Sequence, residues 1–203
     1  MSHLALIGAS GSAGSRILKE LTDRGHSVTA IARNPERIAT LPGVTAVEGD
    51  ALDLKGLASM LRGHDAVVSA VNFFSSEPHI LIEAVRTAGI KRYLVVGGAG
   101  SLEVAPGQLV IDLPDFPEEY KAEAAGGVSF LKQLRQETEL DWTFLSPSAE
   151  FVPGERTGQF RLGKDALLSN EQGSRISFED FAVALVDEFE KPAHVRQRFT
   201  VGY

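Results

Sequence analysis

Short apolar runs alternate with helix-period stretches over the first two thirds of the chain, which predicts an α/β fold, a doubly wound parallel sheet with helices on both faces. Two further observations sharpen that prediction. A glycine-spaced string, Gly8-Ala9-Ser10-Gly11-Ser12-Ala13-Gly14, stands between the first strand pattern and the first helix pattern, and the alternation stops after Pro147. With 203 residues the chain is long enough for one well-buried core and near the lower end for two. The expectation is a single domain over 1–203 in which 147–203 contributes a small substrate-side cap.

The apolar run Leu4-Ala5-Leu6-Ile7 gives a first strand over 3–7. Further strands are expected at 27–32, 44–48, 65–70, 91–97 and 141–145. Between them, Arg16 to Arg24 reads as a helix stopped by Gly25, and Asp53 to Leu61 as one stopped by Gly63. Pro78 to Ala88 forms a third, with proline near its start and Gly89 beyond its end. Phe116 to Glu139 is a longer helical region that Gly126-Gly127 weakens. The connection from Gly98 to Pro117 carries Pro106, Gly107, Pro114 and Pro117, and loops of that length are usually functional or mobile. After Pro147, Gln159 to Leu168 suggests short strands, Phe178 to Glu190 an amphipathic helix, and 198–201 a closing strand.

A strand, a glycine turn and a helix start, in that order, match what a dinucleotide pyrophosphate requires. Gly8 permits the tight turn, Gly11 lets the backbone approach phosphate, and Gly14 allows the helix to pack closely on the strand. The amides that open the helix face the anion, so Gly8, Ser10, Gly11, Ser12, Ala13 and Gly14 are assigned to the cofactor. The second strand ends at Ala32-Arg33-Asn34-Pro35, where an NAD-binding fold places a ribose-binding carboxylate. A guanidinium there pairs with a 2′-phosphate instead. Arg33 therefore points to NADP(H), with Arg37 one turn later in support. Asp50 and Ala51, after the third strand, are placed along the adenine. Ala70, Val71 and Asn72, after the fourth, are placed along the ribose.

The formal charge of −7, from 27 acidic against 20 basic residues, repels polyanions, so no nucleic-acid partner is expected. The absence of cysteine removes disulfides, thiolate metal sites and a cysteine nucleophile. The five histidines show no metal-ligand spacing, so no metal is assigned. Gly8 to Gly14 lacks the Gly-Lys-Ser/Thr ending of a phosphate loop. With no basic leader and no apolar run near the roughly 20 residues of a membrane span, a cytoplasmic protein is expected. Its partner is a small-molecule acceptor, and it is read as a monomer or homodimer.

Taken together, Gly8 to Gly14, Ala32-Arg33-Asn34-Pro35, Gly49-Asp50-Ala51, Ser146-Pro147-Ser148 and Ile176-Ser177-Phe178-Glu179-Asp180 give a resemblance that spans nearly the whole chain. The chain resembles the atypical short-chain dehydrogenase/reductases, in particular the small flavin/biliverdin reductase-like and NmrA-like proteins. The resemblance implies a Rossmann-type fold holding NADP(H), with Gly97, Gly98 and Ala99 along the nicotinamide and Pro147 and Ser148 beside its carboxamide. Typical members also carry a serine after the fifth strand and a tyrosine four residues before a lysine. Here the serine site falls within Gly97-Gly98-Ala99-Gly100, with Ser101 the nearest hydroxyl, and four residues after Tyr120 stands Ala124.

That relay is incomplete, which disfavours alcohol dehydrogenation. An already electrophilic acceptor, a flavin or quinone, takes its proton from water and needs mainly orientation and an apolar pocket. The expected function is thus an NADPH-dependent reductase of a flavin, quinone or similar conjugated acceptor, with Tyr120 as the candidate catalytic residue. Phe73 and Phe74, extended by Phe151, Phe160 and Phe178, are candidates for the acceptor's apolar wall. The alternatives are a non-turnover NADP(H) sensor of NmrA type and an epimerase or dehydratase-like enzyme.

Overall fold

The computed structural model describes residues 1–203. Strand β1 (His3–Ile7) leads through the glycine turn into α1 (Ser12–Asp23), followed by β2 (Ser27–Ala32) and β3 (Val44–Glu48). Helix α2 (Leu54–Leu61) is capped by Asp53, whose carboxylate accepts from the Gly56 amide at 3.0 Å. Strand β4 (Ala66–Ser69), helix α3 (Pro78–Thr87) and β5 (Arg92–Val96) come next. The 98–117 connection is ordered as a 3-10 turn at 99–101, a small hairpin of β6 (Glu103–Ala105) and β7 (Gln108–Leu109), and a second 3-10 turn at 110–112. Helix α4 (Lys121–Leu134) precedes β8 (Asp141–Pro147), β9 (Glu150–Val152), β10 (Arg161–Gly163), β11 (Arg175–Ser177), α5 (Phe178–Glu190) and β12 (Gln197–Gly202).

Eight strands form one sheet in the order β10-β12-β8-β5-β4-β1-β2-β3. Every neighbouring pair is parallel except β10 with β12. The strand order reverses at β1, between β2 and β4, and open α/β sheets bind ligands at the carboxyl ends of the strands beside such a switch. One face buries Ile17, Leu18 and Leu21 of α1 with Phe181, Leu185 and Val186 of α5. The other buries Leu57 of α2, Leu81 and Val85 of α3, and Phe130 and Leu134 of α4. The Rossmann-type sheet with helices on both faces is thus as the sequence predicts.

Several boundaries and one assignment differ. Helix α1 begins at Ser12, four residues before the expected Arg16, because the glycine turn feeds straight into it. Helix α4 starts at Lys121, after Pro117 and a 3-10 turn at 118–120, and ends at Leu134. Gly126 and Gly127 do not weaken it. They bring it down on Phe73, whose Cβ lies 2.6 Å from where a Cβ at Gly126 would stand. Of the strands expected in 159–168, only β10 forms.

The last quarter is not all cap. Strand β12 runs parallel to β8, with Phe199 opposite Leu145, and α5 covers α1. Only 148–177, with the parallel pair of β9 and β11, stands off the main sheet, apart from the edge strand β10, and its Ile176 is still buried in the core with Phe151 and Phe160 packed against it.

Two buried ion clusters fasten these late elements. Glu188 of α5 is 4% exposed. Its carboxylate accepts from Arg92 Nη2 at 3.1 Å, from the His194 amide at 2.9 Å and from His194 Nδ1 at 2.8 Å. Arg198 of β12 is buried and donates to Asp165, to the Ser101 carbonyl and hydroxyl at 3.2 Å, and to the Ser146 hydroxyl at 3.4 Å. Burial holds the pKa of Arg92 and of Arg198 below the ordinary guanidinium value, and the neighbouring carboxylate of each offsets only part of that.

Candidate cofactor groove and acceptor cavity

The glycine turn lies at the switch point. Gly8 has φ +85°, and a Cβ there would stand 2.3 Å from the Ala70 carbonyl oxygen, so the turn abuts the end of β4 with no side chain between. Its amide donates to the Ile31 carbonyl at 2.9 Å, tying it to β2. A Cβ at Gly14 would come within 2.1 Å of the Gly8 carbonyl oxygen. No side chain caps α1, so its first-turn amides are available to an anion lying over the turn.

A groove of about 280 Å³ opens there. Gly8, Ser10, Gly11, Arg33, Asp50, Ala51, Ala70, Val71 and Asn72 all line it. Ser12, Ala13 and Gly14 stand behind the wall as the start of α1. Arg33 is exposed and has no carboxylate within salt-bridge distance, while the Asp50 carboxylate accepts from the Leu52 amide at 3.0 Å. Arg37 does not reach the groove wall, because the 3-10 turn at 35–37 carries it outward to solvent. A backbone cradle too tight for a Cβ and uncapped helix amides fit a dinucleotide phosphate chain, and one unpaired guanidinium stands on the groove wall.

Beyond Asn72 the chain enters a 3-10 turn at 73–75, and a second cavity of about 620 Å³ lies over the carboxyl ends of β5 and β8. Gly97, Gly98, Pro147, Ser148 and Tyr120 line it, as do Phe73 and Phe151. A Cβ at Gly97 would meet the Phe144 ring at 2.3 Å, so this stretch is pressed against β8. The Ser148 hydroxyl donates to the Val201 carbonyl at 3.0 Å, leaving Ser148 to shape the cavity rather than to exchange protons. Phe74 is 69% exposed and lines neither hollow. Phe178 stacks edge-on against Phe151 at 4.4 Å, behind the wall, and Phe160 packs on the α1 side of the core.

The geometry explains the incomplete relay. Tyr120 is 61% exposed, and its hydroxyl has no partner in the protein. Lys121 turns away and pairs with Glu118 at 2.5 Å. Position 124, where a lysine would stand, faces the 99–101 turn so closely that a Cβ on Gly100 would lie 2.7 Å from the Ala124 Cβ. Ser101 is buried behind the turn with its hydroxyl on Arg198, and it does not line the cavity. Another phenol near the cleft, Tyr93, is fully buried on Ser69 at 2.9 Å, and burial raises its pKa further above the ordinary phenol value.

Glu123 is a cavity residue that the sequence did not disclose. Its carboxylate accepts from the Phe73 amide at 2.9 Å and the Phe74 amide at 3.0 Å, closing the 73–75 turn over the cavity floor. A glutamate in the first turn of a helix reads as a solvated charge, and nothing in the sequence pairs it with a turn 50 residues earlier. Leu113, Asp115 and Phe116 were likewise hidden in the proline-rich connection, which folds over the cavity as part of its wall.

The chain is 44% identical to the uncharacterized Bacillus subtilis protein YwnB over 98% of its own length and 97% of that protein's. It superimposes on a provisionally named epimerase from Bacteroides thetaiotaomicron with a TM-score of 0.94 at 41% identity, covering 100% of this chain and 97% of the other. A provisionally named NADH-flavin reductase from Streptococcus pneumoniae aligns with a TM-score of 0.80 at 36% identity, covering 100% and 99%. Residues 8–192, from the glycine turn to the end of α5, match the profile of the NAD(P)H-binding family, and the chain belongs to that family.

Proposed function

We propose that this protein is an NADPH-dependent reductase that passes hydride to a flavin, quinone or similar conjugated acceptor. The observation that carries the reading is the adjacency of two differently built hollows. A groove with helix amides and a free guanidinium runs past Asn72 to an aromatic-walled cavity that begins at Phe73. The bound nicotinamide supplies a hydride, and the acceptor's remaining proton comes from solvent. The chain's own residues hold and orient: the glycine turn seats the pyrophosphate, Arg33 pairs with the 2′-phosphate, and Asp50 with Ala51 borders the adenine. Gly97, Gly98 and Pro147 leave room for a ring against backbone, and Phe73 and Phe151 wall the acceptor. Tyr120 is positioned to contact the acceptor from the exposed side. The Streptococcus pneumoniae relative supports this assignment by its name.

Epimerase or dehydratase chemistry through an alcohol needs a phenol activated by a neighbouring lysine, which Ala124 at the Gly100 contact does not provide. The same missing relay favours, as a second reading, a sensor that binds NADP(H) without turnover. Following NADPH absorbance with riboflavin and menadione separates the two. Oxidation dependent on either acceptor is expected, and tight cofactor binding with no oxidation would establish the sensor. Replacing Arg33 with glutamate is expected to weaken NADPH binding by about ten- to a hundredfold, the worth of a charge-assisted pair, with NADH binding held or strengthened because a carboxylate there suits a ribose 2′-hydroxyl. Equal effects on both cofactors in a fluorescence titration would remove Arg33 from the 2′-phosphate.

A further inference from the structure

The two ends of the crevice differ in charge, and that difference has a consequence for the acceptor. On the groove wall the charged side chains are one of each sign, Arg33 and Asp50, neither in an ion pair. On the cavity wall the charged side chains are Asp115, Glu123 and Glu150, and none is basic. Glu123 is occupied by two backbone amides. Asp115 and Glu150 are exposed and have no cation within salt-bridge distance. Of the basic groups nearby, Lys121 pairs with Glu118 and Arg198 with Asp165 behind Ser101, while Arg175 stands opposite Glu150 in the pairing of β9 with β11, outside salt-bridge distance and off the cavity wall. The stretch 112–119 beside the cavity adds the exposed carboxylates of Asp112 and Glu119. An acceptor entering here meets aromatic and aliphatic walls and a net negative field.

We infer that the cavity selects uncharged conjugated acceptors and rejects phosphorylated ones, with Asp115 and Glu150 as the discriminating residues. The inference rests on the reductase reading for its chemistry and names the acceptor class of that same cavity. Riboflavin and FMN present the same ring for hydride transfer and differ by a phosphate dianion. For either, NADPH gives one hydride to the ring, one proton is taken from water, and NADP⁺ and the dihydroflavin are the products. Discrimination by repulsion needs no contact to the favoured molecule, only a penalty on the other.

The test compares kcat/KM for riboflavin and FMN at low ionic strength, alongside flavin binding followed by fluorescence quenching in the presence of NADP⁺. Riboflavin is expected to be favoured about tenfold or more in both measurements, and the margin is expected to shrink as salt shortens the reach of the carboxylates. The double variant Asp115→Asn/Glu150→Gln is expected to bring the ratio close to one. FMN used and bound as well as riboflavin, a ratio that the double variant leaves in place, or a failure of both flavins to bind would each overturn the inference. Preferential riboflavin binding without oxidation of NADPH by any acceptor would sink the reductase reading and leave the charge selection standing.

Discussion

Replacing Glu188 with alanine is expected to cost about 3–5 kcal/mol of stability, the toll of leaving a buried charge without its partner. Glu188 is almost completely buried on the inner side of α5 and gathers the Arg92 guanidinium, the Ala193 and His194 amides and the His194 ring. Arg92 opens β5 and also donates to the Thr143 hydroxyl at 2.7 Å, so the cluster ties α5 to two central strands. Without the carboxylate, Arg92 keeps its desolvation and loses the attraction that offsets it, and its Nε already lacks a hydrogen-bond partner. Urea unfolding reads the loss directly, and Glu188→Gln, which keeps acceptors in place, should recover part of it. A loss under about 1 kcal/mol would mean that Arg92 finds water in the variant, and would demote the cluster to an ordinary surface pair.

Gly8→Ala is expected to damage both stability and cofactor binding. A residue with a side chain is strained at φ +85°, and the added methyl carbon would stand 2.3 Å from the Ala70 carbonyl, a backbone atom that cannot swing aside. Strain of this kind is worth about 1–3 kcal/mol by itself. The clash also displaces the turn from the groove, so NADPH affinity should fall by at least about tenfold, or 1.4 kcal/mol. Gly25→Ala provides the control. Gly25 has φ +82° with nothing within 4 Å of an added Cβ, so it should lose stability through strain while binding NADPH as before. Equal cofactor affinity in the two variants would remove the turn from the binding site.

These two positions mark how far the sequence could be read. The Gly8 turn is legible because its meaning is local: strand, glycines and helix follow one another, and the groove residues from Gly8 to Asn72 come from four adjacent strand ends. The strands at 3–7, 27–32 and 44–48 are likewise legible from short runs rich in apolar and β-branched residues. Glu188 was not, because Arg92 is 96 positions away and a helix pattern alone does not reveal which charge is buried. The closing strand was recognised, but its place beside β8 depends on a pairing of Gln197 with Thr143 that no local pattern encodes. Gly126-Gly127 misled for a related reason. In isolation the pair lowers helix propensity, whereas in the fold it admits Phe73. Arg37 was placed by helical spacing, but Pro35 opens a 3-10 turn there, with a different rotation per residue.

The packing of α1 on α5 also sets a schedule for folding. Arg16 and its partner Glu179 are 163 positions apart, so at about 5–20 residues per second α1 waits on the order of ten to thirty seconds after synthesis for the helix that covers it. During that interval Ile17, Leu18 and Leu21 have no permanent neighbour on that side. The half of the sheet that carries the glycine turn is made first and completed last. On the ribosome, the nascent protein therefore exposes an apolar helix face on the same unit that carries the cofactor groove, and a chaperone is needed to shield it until α5 arrives.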